Sequence, residues 1–206
     1  MEVFFLGGTR NVTFGSNNTW ENSLEYIYNK SLEKKIPIFG ICLGFLIINR
    51  LIAEKYVSQY GFNNIQIIRG FNITDYNSKL FSLFNESLLN SLYNNSAYYN
   101  HKWGVNIRTF NNNFNSKNKL KITSISNDNQ SKEFINSVED INDNYNIYTT
   151  QFHPEKTPFQ RKNENDFDNI QELDHEIIYE KNSIRVSTLL GIFLLKNVEK
   201  IKIDFI

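Results

Sequence analysis

Cysteine and proline are both scarce in this chain, which has one cysteine and three prolines in 206 residues. A single cysteine excludes a disulfide within the chain and makes Cys42 worth examining as a free thiol. No apolar run approaches the roughly 20 residues that a helix needs to cross a bilayer, so we expect no membrane span. Residues 1–8 have no basic start and too short an apolar part for a signal peptide, so no targeting segment is visible.

An excess of charge of either sign is also missing, since 22 basic residues balance 22 acidic ones. No basic stripe with interleaved aromatic residues occurs, which argues against nucleic-acid binding. A chain of this length buries roughly 70% of the surface that its unfolded form exposes, enough for one substantial core. We therefore expect a single domain over residues 1–206.

Hydrophobic patterning predicts an α/β fold. Residues 2–6 and 36–41 are short, largely apolar runs typical of buried strands. Between them, Asn18 suits a helix N-cap, and the helical spacing of apolar residues continues to about Lys35. A strand, a helix and a strand in this order predict two parallel strands with a right-handed crossover. The apolar residues 43–52 predict a further helix packed on the sheet.

The rest of the chain gives weaker signals. Residues 56–76 alternate weakly, residues 78–92 have the spacing of an amphipathic helix, and residues 156–183 are charged and irregular. The remaining predicted elements are strands over 103–110, 119–126, 133–138 and 146–152 and a closing helix over 186–196. No internal repeat and no domain linker is visible.

The only cysteine stands at a predicted strand-to-helix junction, in Gly40-Ile41-Cys42-Leu43-Gly44. This arrangement resembles the nucleophile elbow of serine hydrolases, with sulfur in place of oxygen. A helix N-terminus favours a thiolate, and its free amides, notably that of Leu43, can face a developing oxyanion. A buried structural thiol explains this pattern equally well.

A second cluster, His153-Pro154-Glu155, follows the predicted strand over 146–152. A histidine at a strand end can serve as base and then as acid for the thiol. Glu155 can hold the other imidazole nitrogen, which makes a triad by role. Together with an elbow cysteine, this cluster favours a catalytic site over a structural histidine.

Two segments resemble the signature motifs of class I glutamine amidotransferase-like hydrolases: residues 37–45, PIFGICLGF, and residues 151–156, QFHPEK. Within that superfamily, Asn100-His101-Lys102-Trp103, the residues 78–92 before it and the stretch after His153 resemble the γ-glutamyl hydrolases, peptidase family C26. The resemblance implies a flavodoxin-like, three-layer α/β fold with a mainly parallel central sheet.

The same resemblance implies a role for each matching residue. Cys42 would be the nucleophile, His153 its base and Glu155 the group that orients His153. Two residues would supply the oxyanion donors, Gly8 and Leu43. Two others would line the pocket that holds the γ-glutamyl group, His101 and Gln151. The small-molecule substrates would be folate poly-γ-glutamates, cleaved through a thioester with no metal and no cofactor. The resemblance implies a location in the vacuole, the lysosome or outside the cell, whereas the chain would be cytosolic if it is complete. A homodimer is a further possibility.

Two departures from the γ-glutamyl hydrolase pattern keep alternatives open. Leu46 stands where the family usually has Glu or Gln, which contacts the glutamyl part of the substrate. The family also usually has a further segment before residues 2–6, so the sheet is expected to lack its first strands. The alternatives are a glutaminase that supplies ammonia to a synthase and a non-catalytic relative that binds γ-glutamyl ligands.

Overall fold

The computed structural model describes residues 4–6, 19–142, 145–157 and 180–203. The eight strands in these ranges are β1 (Phe4–Leu6), β2 (Ile38–Ile41), β3 (Ser58–Arg69), β4 (Asn72–Ile73), β5 (Ala97–Val105), β6 (Leu120–Asn127), β7 (Glu133–Asp140) and β8 (Ile147–Thr150). The six helices there are α1 (Thr19–Lys34), α2 (Leu43–Ala53), α3 (Glu86–Leu89), α4 (Ile107–Asn111), α5 (Phe114–Lys119) and α6 (Lys181–Ile203).

The larger sheet has six strands in the order β1-β2-β8-β7-β6-β4. Its first three strands are parallel, with Leu6 opposite Gly40 and Ile41 opposite Thr150. The strands β7, β6 and β4 continue the sheet in antiparallel fashion. The parallel β1-α1-β2 unit that the sequence predicts is therefore confirmed, and the parallel half of the sheet places Cys42 beside the end of β8.

Apolar residues form a cluster on each face of this sheet, because alternate residues of a strand point to opposite faces. Phe39 and Ile41 of β2 pack in one cluster with Val186, Leu190 and Phe193 of α6. Ile38, the residue before Phe39, packs in the other cluster with α1 and α2. The layers are thus helix, sheet and helix, as predicted.

A second sheet, formed by β3 and β5, is antiparallel and stands beside the candidate site. Asn64 of β3 lies opposite His101 of β5, with register shifts on both sides of this pair. The irregular spacing explains why residues 56–76 alternate only weakly in sequence.

The prediction of a long helix over residues 78–92 is wrong. The buried Glu139 carboxylate accepts hydrogen bonds from the Ser78 hydroxyl and from the Lys79 and Leu80 amides. These amides are therefore satisfied by a distant strand, and only α3, capped by Asn85, is helical. The apolar residues of the segment are nevertheless buried in the core: Leu80, Phe81, Phe84, Leu88 and Leu92.

The predicted strand over 103–110 is also wrong in its second half. β5 ends at Val105, and the side chain of Asn106 accepts a hydrogen bond from the Arg108 amide at 2.9 Å. An asparagine in this role is an N-cap, so the chain turns into α4 instead of extending the strand.

Several predictions fall outside the described residues. These are the Asn18 cap, the turn at Gly7 and Gly8, and most of the charged excursion over 156–183. Among the described helices, none combines the length and the apolar character that crossing a bilayer requires.

The turn before Cys42 depends on Gly40. A Cβ at this position would lie 2.7 Å from Ile48 Cδ1 and 3.0 Å from the Gly44 carbonyl. We expect Gly40→Ala to lower the free energy of unfolding by about 1–3 kcal/mol, measured by urea titration, because overpacking moves α2 off the sheet. As the control, Gly191→Ala in α6 meets nothing within 4 Å and should instead add about 0.5–1 kcal/mol. Equal effects of the two substitutions would contradict the close contact at Gly40.

Candidate active site

Cys42 occupies a strained turn between β2 and α2. Its backbone has φ 53° and ψ −99°, a conformation that residues other than glycine rarely adopt and that occurs at functional sites. The turn is held from both sides, since the Cys42 amide donates to the Thr150 carbonyl at 2.8 Å and its own carbonyl accepts from the Leu46 amide at 3.1 Å. The thiol therefore stands where the sheet ends and the helix begins.

The N-terminus of α2 lies directly beside this thiol. The helix begins at Leu43, and the Cys42 side chain forms no capping hydrogen bond. Amides of a first helical turn have no partner within their own helix, and the helix dipole there favours negative charge. Leu43, one of the two predicted oxyanion donors, is the first residue of this helix, whereas Gly8, the other, lies outside the described residues.

His153 reaches the thiol from the end of β8. Its amide donates to the Tyr98 carbonyl at 2.8 Å, which fixes the loop against β5. Its ring is buried, its Nδ1 lies 2.7 Å from Glu155 Oε1, and Cys42 is near enough to act on the charge of the ring. Because Glu155 engages Nδ1, the contact with the sulfur falls to Nε2. Cys42, His153 and Glu155 therefore lie next to one another in that order.

The electrostatics of His153 favour its protonated form. Burial of the ring lowers its pKa, but interaction with Cys42 and with the Glu155 carboxylate outweighs burial and raises the pKa to about 9. An imidazolium beside a cysteine is the arrangement in which cysteine nucleophiles pair with a base.

Gln151 and Leu46, singled out in the sequence, are both buried. The Gln151 side chain is fully buried, with Nε2 3.8 Å from the Cys42 sulfur. Leu46 packs in the apolar cluster that contains α1 and α2. It therefore offers no hydrogen-bonding group to a substrate.

His101 lies close to this set but in a closed, mostly aromatic environment. Phe62, Tyr99 and Phe134 surround its ring. Its Nδ1 is 2.8 Å from the Trp103 carbonyl, and its Nε2 is 3.2 Å from the Asn64 amide nitrogen.

These partners settle the tautomer and charge of His101. A carbonyl only accepts, so Nδ1 carries the proton and Nε2 accepts from the Asn64 amide. Burial, opposed by the Trp103 carbonyl and joined by the positive His153, lowers the His101 pKa to about 4. His101 is thus neutral at physiological pH, and it lies close enough to His153 for the positive charge there to oppose its protonation.

A family comparison agrees with this geometry. Residues 3–173 match the pattern of a protein family described as "Glutamine amidotransferase class-I". The chain belongs to the class I glutamine amidotransferase family. The match contains Cys42, His153 and Glu155.

Within this family, curated γ-glutamyl hydrolases match most of the chain, which confirms the resemblance predicted from the sequence. The enzyme of Rattus norvegicus is 29% identical over 167 residues, covering 78% of this chain and 51% of the relative. That of Mus musculus is 27% identical over 205 residues, covering 96% and 60%. The chain therefore spans between about half and three fifths of the length of these relatives.

A solved structure agrees on the fold. The "glutaminase domain with bound acivicin" of Trypanosoma brucei CTPS superposes with a TM-score of 0.52 at 17% identity, covering 74% of this chain and 62% of that one. The predicted α/β fold of the class I glutamine amidotransferases is confirmed.

Two contacts of the site were not visible in the sequence of this amidotransferase-family chain. Asn64 binds His101, and the Tyr98 carbonyl binds His153. Neither residue belongs to a motif, and both meet their partners only across β3, β5 and the end of β8. Across the described residues, no group of three His, Cys, Asp or Glu side chains is arranged to hold a metal ion.

A cleft of about 430 Å³ opens elsewhere on the protein, between β3, β4 and β6. Arg69, Asn72 and Ser126 line it, and Phe71 at its wall stacks on Phe152 with ring centroids 5.5 Å apart. Cys42 and His153 are not among its lining residues, so this cleft is separate from the candidate active site.

The charge state of His153 generates a testable prediction. Its pKa is raised from 6.5 to about 9, so protonation stabilises the fold fully below pH 6.5, and this contribution is lost as pH rises through about 9. Glu155→Gln removes one negative neighbour and should lower the His153 titration midpoint, measured by NMR of ring-labelled histidine. Between pH 6.5 and 9 the parent should then lose more stability than Glu155→Gln.

His101 provides the internal control for this titration. Its pKa of about 4 is set by burial and by Trp103, so its resonances should stay those of a neutral ring in both proteins throughout that pH range. An unchanged His153 midpoint in Glu155→Gln would show that the carboxylate does not act on the imidazole.

Proposed function

We propose that this chain is a cysteine-dependent γ-glutamyl hydrolase that cleaves folate poly-γ-glutamates through a thioester intermediate. The observation that carries the proposal is the placement of His153 between Cys42 and Glu155, with its Nδ1 2.7 Å from the carboxylate and its pKa raised by both neighbours. The similarity to curated γ-glutamyl hydrolases supports this activity over others in the family.

In the proposed first step, the Cys42 sulfur attacks the carbonyl carbon of a γ-glutamyl amide. Charge develops on the carbonyl oxygen, and the Leu43 amide at the start of α2 is placed to receive it. As the C–N bond breaks, His153 gives its proton to the leaving amine. A thioester between Cys42 and the γ-glutamyl carbon remains.

In the second step, neutral His153 takes a proton from a water molecule, which attacks the thioester carbon. The C–S bond breaks, the Cys42 thiolate leaves, and the imidazolium beside Glu155 is restored. The net reaction adds one water to one γ-glutamyl amide and gives a carboxylic acid and an amine. Glu155 keeps the ring oriented in both steps, because it binds Nδ1 throughout.

His101, Leu46 and Gln151 bear on how a glutamyl group would be recognised. We propose that His101 acts as a neutral ring at the edge of the pocket, since both of its nitrogens are already engaged. Leu46 is buried and apolar, so the polar contact usual at this position must come from elsewhere. The proposed specificity therefore depends on β5 and the loop after β8 more than on α2.

Further expectations accompany the proposed activity. By the same resemblance we propose a single domain over residues 1–206, a homodimer, and a vacuolar, lysosomal or extracellular location. The proposed substrate is a small molecule, and no cofactor takes part.

The proposal is tested by incubating the purified chain with a pteroyl poly-γ-glutamate and following glutamate release by chromatography. The rate of glutamate release should be lower in Cys42→Ala than in the parent by about 10³-fold or more, because the nucleophile is lost. The rate of glutamate release by His153→Asn should fall to a similar extent, because triad members act as a unit. Mass spectrometry of a quenched reaction should show an acyl group on Cys42 of the parent.

Free glutamine, supplied in a parallel reaction, separates the competing hypotheses. Ammonia release from glutamine without cleavage of the polyglutamate would replace the proposed function by a glutaminase. A well-folded parent that processes neither substrate would favour a non-catalytic γ-glutamyl-binding protein. Cleavage that survives Cys42→Ala would contradict the cysteine mechanism.

A further inference from the structure

We infer that the Gln151 carboxamide is a dedicated hydrogen-bond donor that holds the Cys42 sulfur in its anionic, reactive form. Its Nε2 lies 3.8 Å from the sulfur, within hydrogen-bond range for this larger atom. The inference rests on the proposed function, in which Cys42 is the nucleophile. It goes beyond the role in lining the pocket that the family resemblance implies for Gln151.

The position of Gln151 is determined by the main chain on both sides. Its amide donates to the Asn136 carbonyl of β7 at 2.8 Å, and the Cys42 amide donates to the neighbouring Thr150 carbonyl at the same distance. The side chain is fully buried, so it cannot turn out to solvent. The backbone contacts therefore aim the carboxamide at the sulfur before any substrate arrives.

The other end of the carboxamide has no use in the described part of the fold. Gln151 Oε1 is buried there without a hydrogen-bond partner. A buried carbonyl without a partner destabilises a protein, and an apolar side chain of the same length avoids this cost. A half-turn of the carboxamide would place Oε1 against the sulfur, where a thiolate repels it. The contact with the sulfur is therefore what a glutamine, rather than an apolar residue, contributes here.

A neutral donor complements His153, the titratable group that interacts with Cys42. His153 loses its proton during the proposed reaction, and its charge depends on Cys42 and Glu155. The Gln151 amide does not titrate, so it stabilises the thiolate in either state of His153. This property matters most when the thioester breaks and the thiolate leaves.

The test measures the sulfur directly and needs no γ-glutamyl substrate. Cys42 of the full chain is alkylated with iodoacetamide over a series of pH values, and the rates are followed by mass spectrometry. Gln151→Met keeps the length of the side chain but removes both the donor and the unpartnered oxygen. Below the midpoint of the pH profile, it should react about tenfold more slowly than the parent, with the midpoint moved to higher pH. Its melting temperature should equal or exceed that of the parent.

Asn49→Leu is the matched control. Asn49 of α2 is also a fully buried amide whose Oδ1 lacks a partner among the described residues, but its Nδ2 donates to the Phe45 carbonyl instead of the sulfur. Its removal should leave the alkylation profile unchanged. A slowing equal to that of Gln151→Met would overturn the inference, because it would trace the effect to packing.

Gln151→Glu keeps the test decisive if Gln151→Met does not fold. It preserves the shape but offers an acceptor, so its alkylation midpoint should move further to higher pH. A parent-like profile in either Gln151 variant overturns the inference and leaves the proposed function standing. A folded parent whose profile matches that of the urea-unfolded chain would instead overturn the nucleophile itself, and with it both proposals.

Discussion

The parallel pairing of β2 with β8 is the contact on which the candidate site depends. Ile41 lies opposite Thr150, and the next main-chain contact joins the Cys42 amide to the Thr150 carbonyl. Carboxyl ends of parallel strands meet at the same edge of a sheet. The pairing therefore brings Cys42 within reach of His153, although the two residues are far apart in sequence.

The antiparallel half of the protein holds the loop after β8. The Asn136 carbonyl of β7 fixes Gln151, and the Tyr98 carbonyl of β5 fixes His153. The same strands exclude water, so charge acts strongly within the site. Burial and neighbouring groups then shift the pKa values of two histidines in opposite directions: the pKa of His153 is raised and that of His101 is lowered.

Elements rich in apolar or β-branched residues were predictable, as β2, α2 and β8 demonstrate. Predictions failed where a distant or short-range polar contact replaced regular hydrogen bonding. Glu139 satisfies the amides at the start of residues 78–92, and Asn106 caps α4 where a strand seemed to continue. The apolar spacing of residues 78–92 reported their burial correctly, but burial alone does not make a helix.

Taken alone, the sequence identifies Cys42, His153 and Glu155 as a candidate triad, because the elbow around Cys42 and the motif from His153 to Glu155 are local patterns. It also determined the fold class and the family, since these depend on apolar periodicity and on the same motifs. Only the tertiary structure decided the protonation of the two histidines and the placement of the Gln151 carboxamide against the sulfur. The physical reason is that charge and hydrogen bonding in a buried site depend on groups brought from distant parts of the chain.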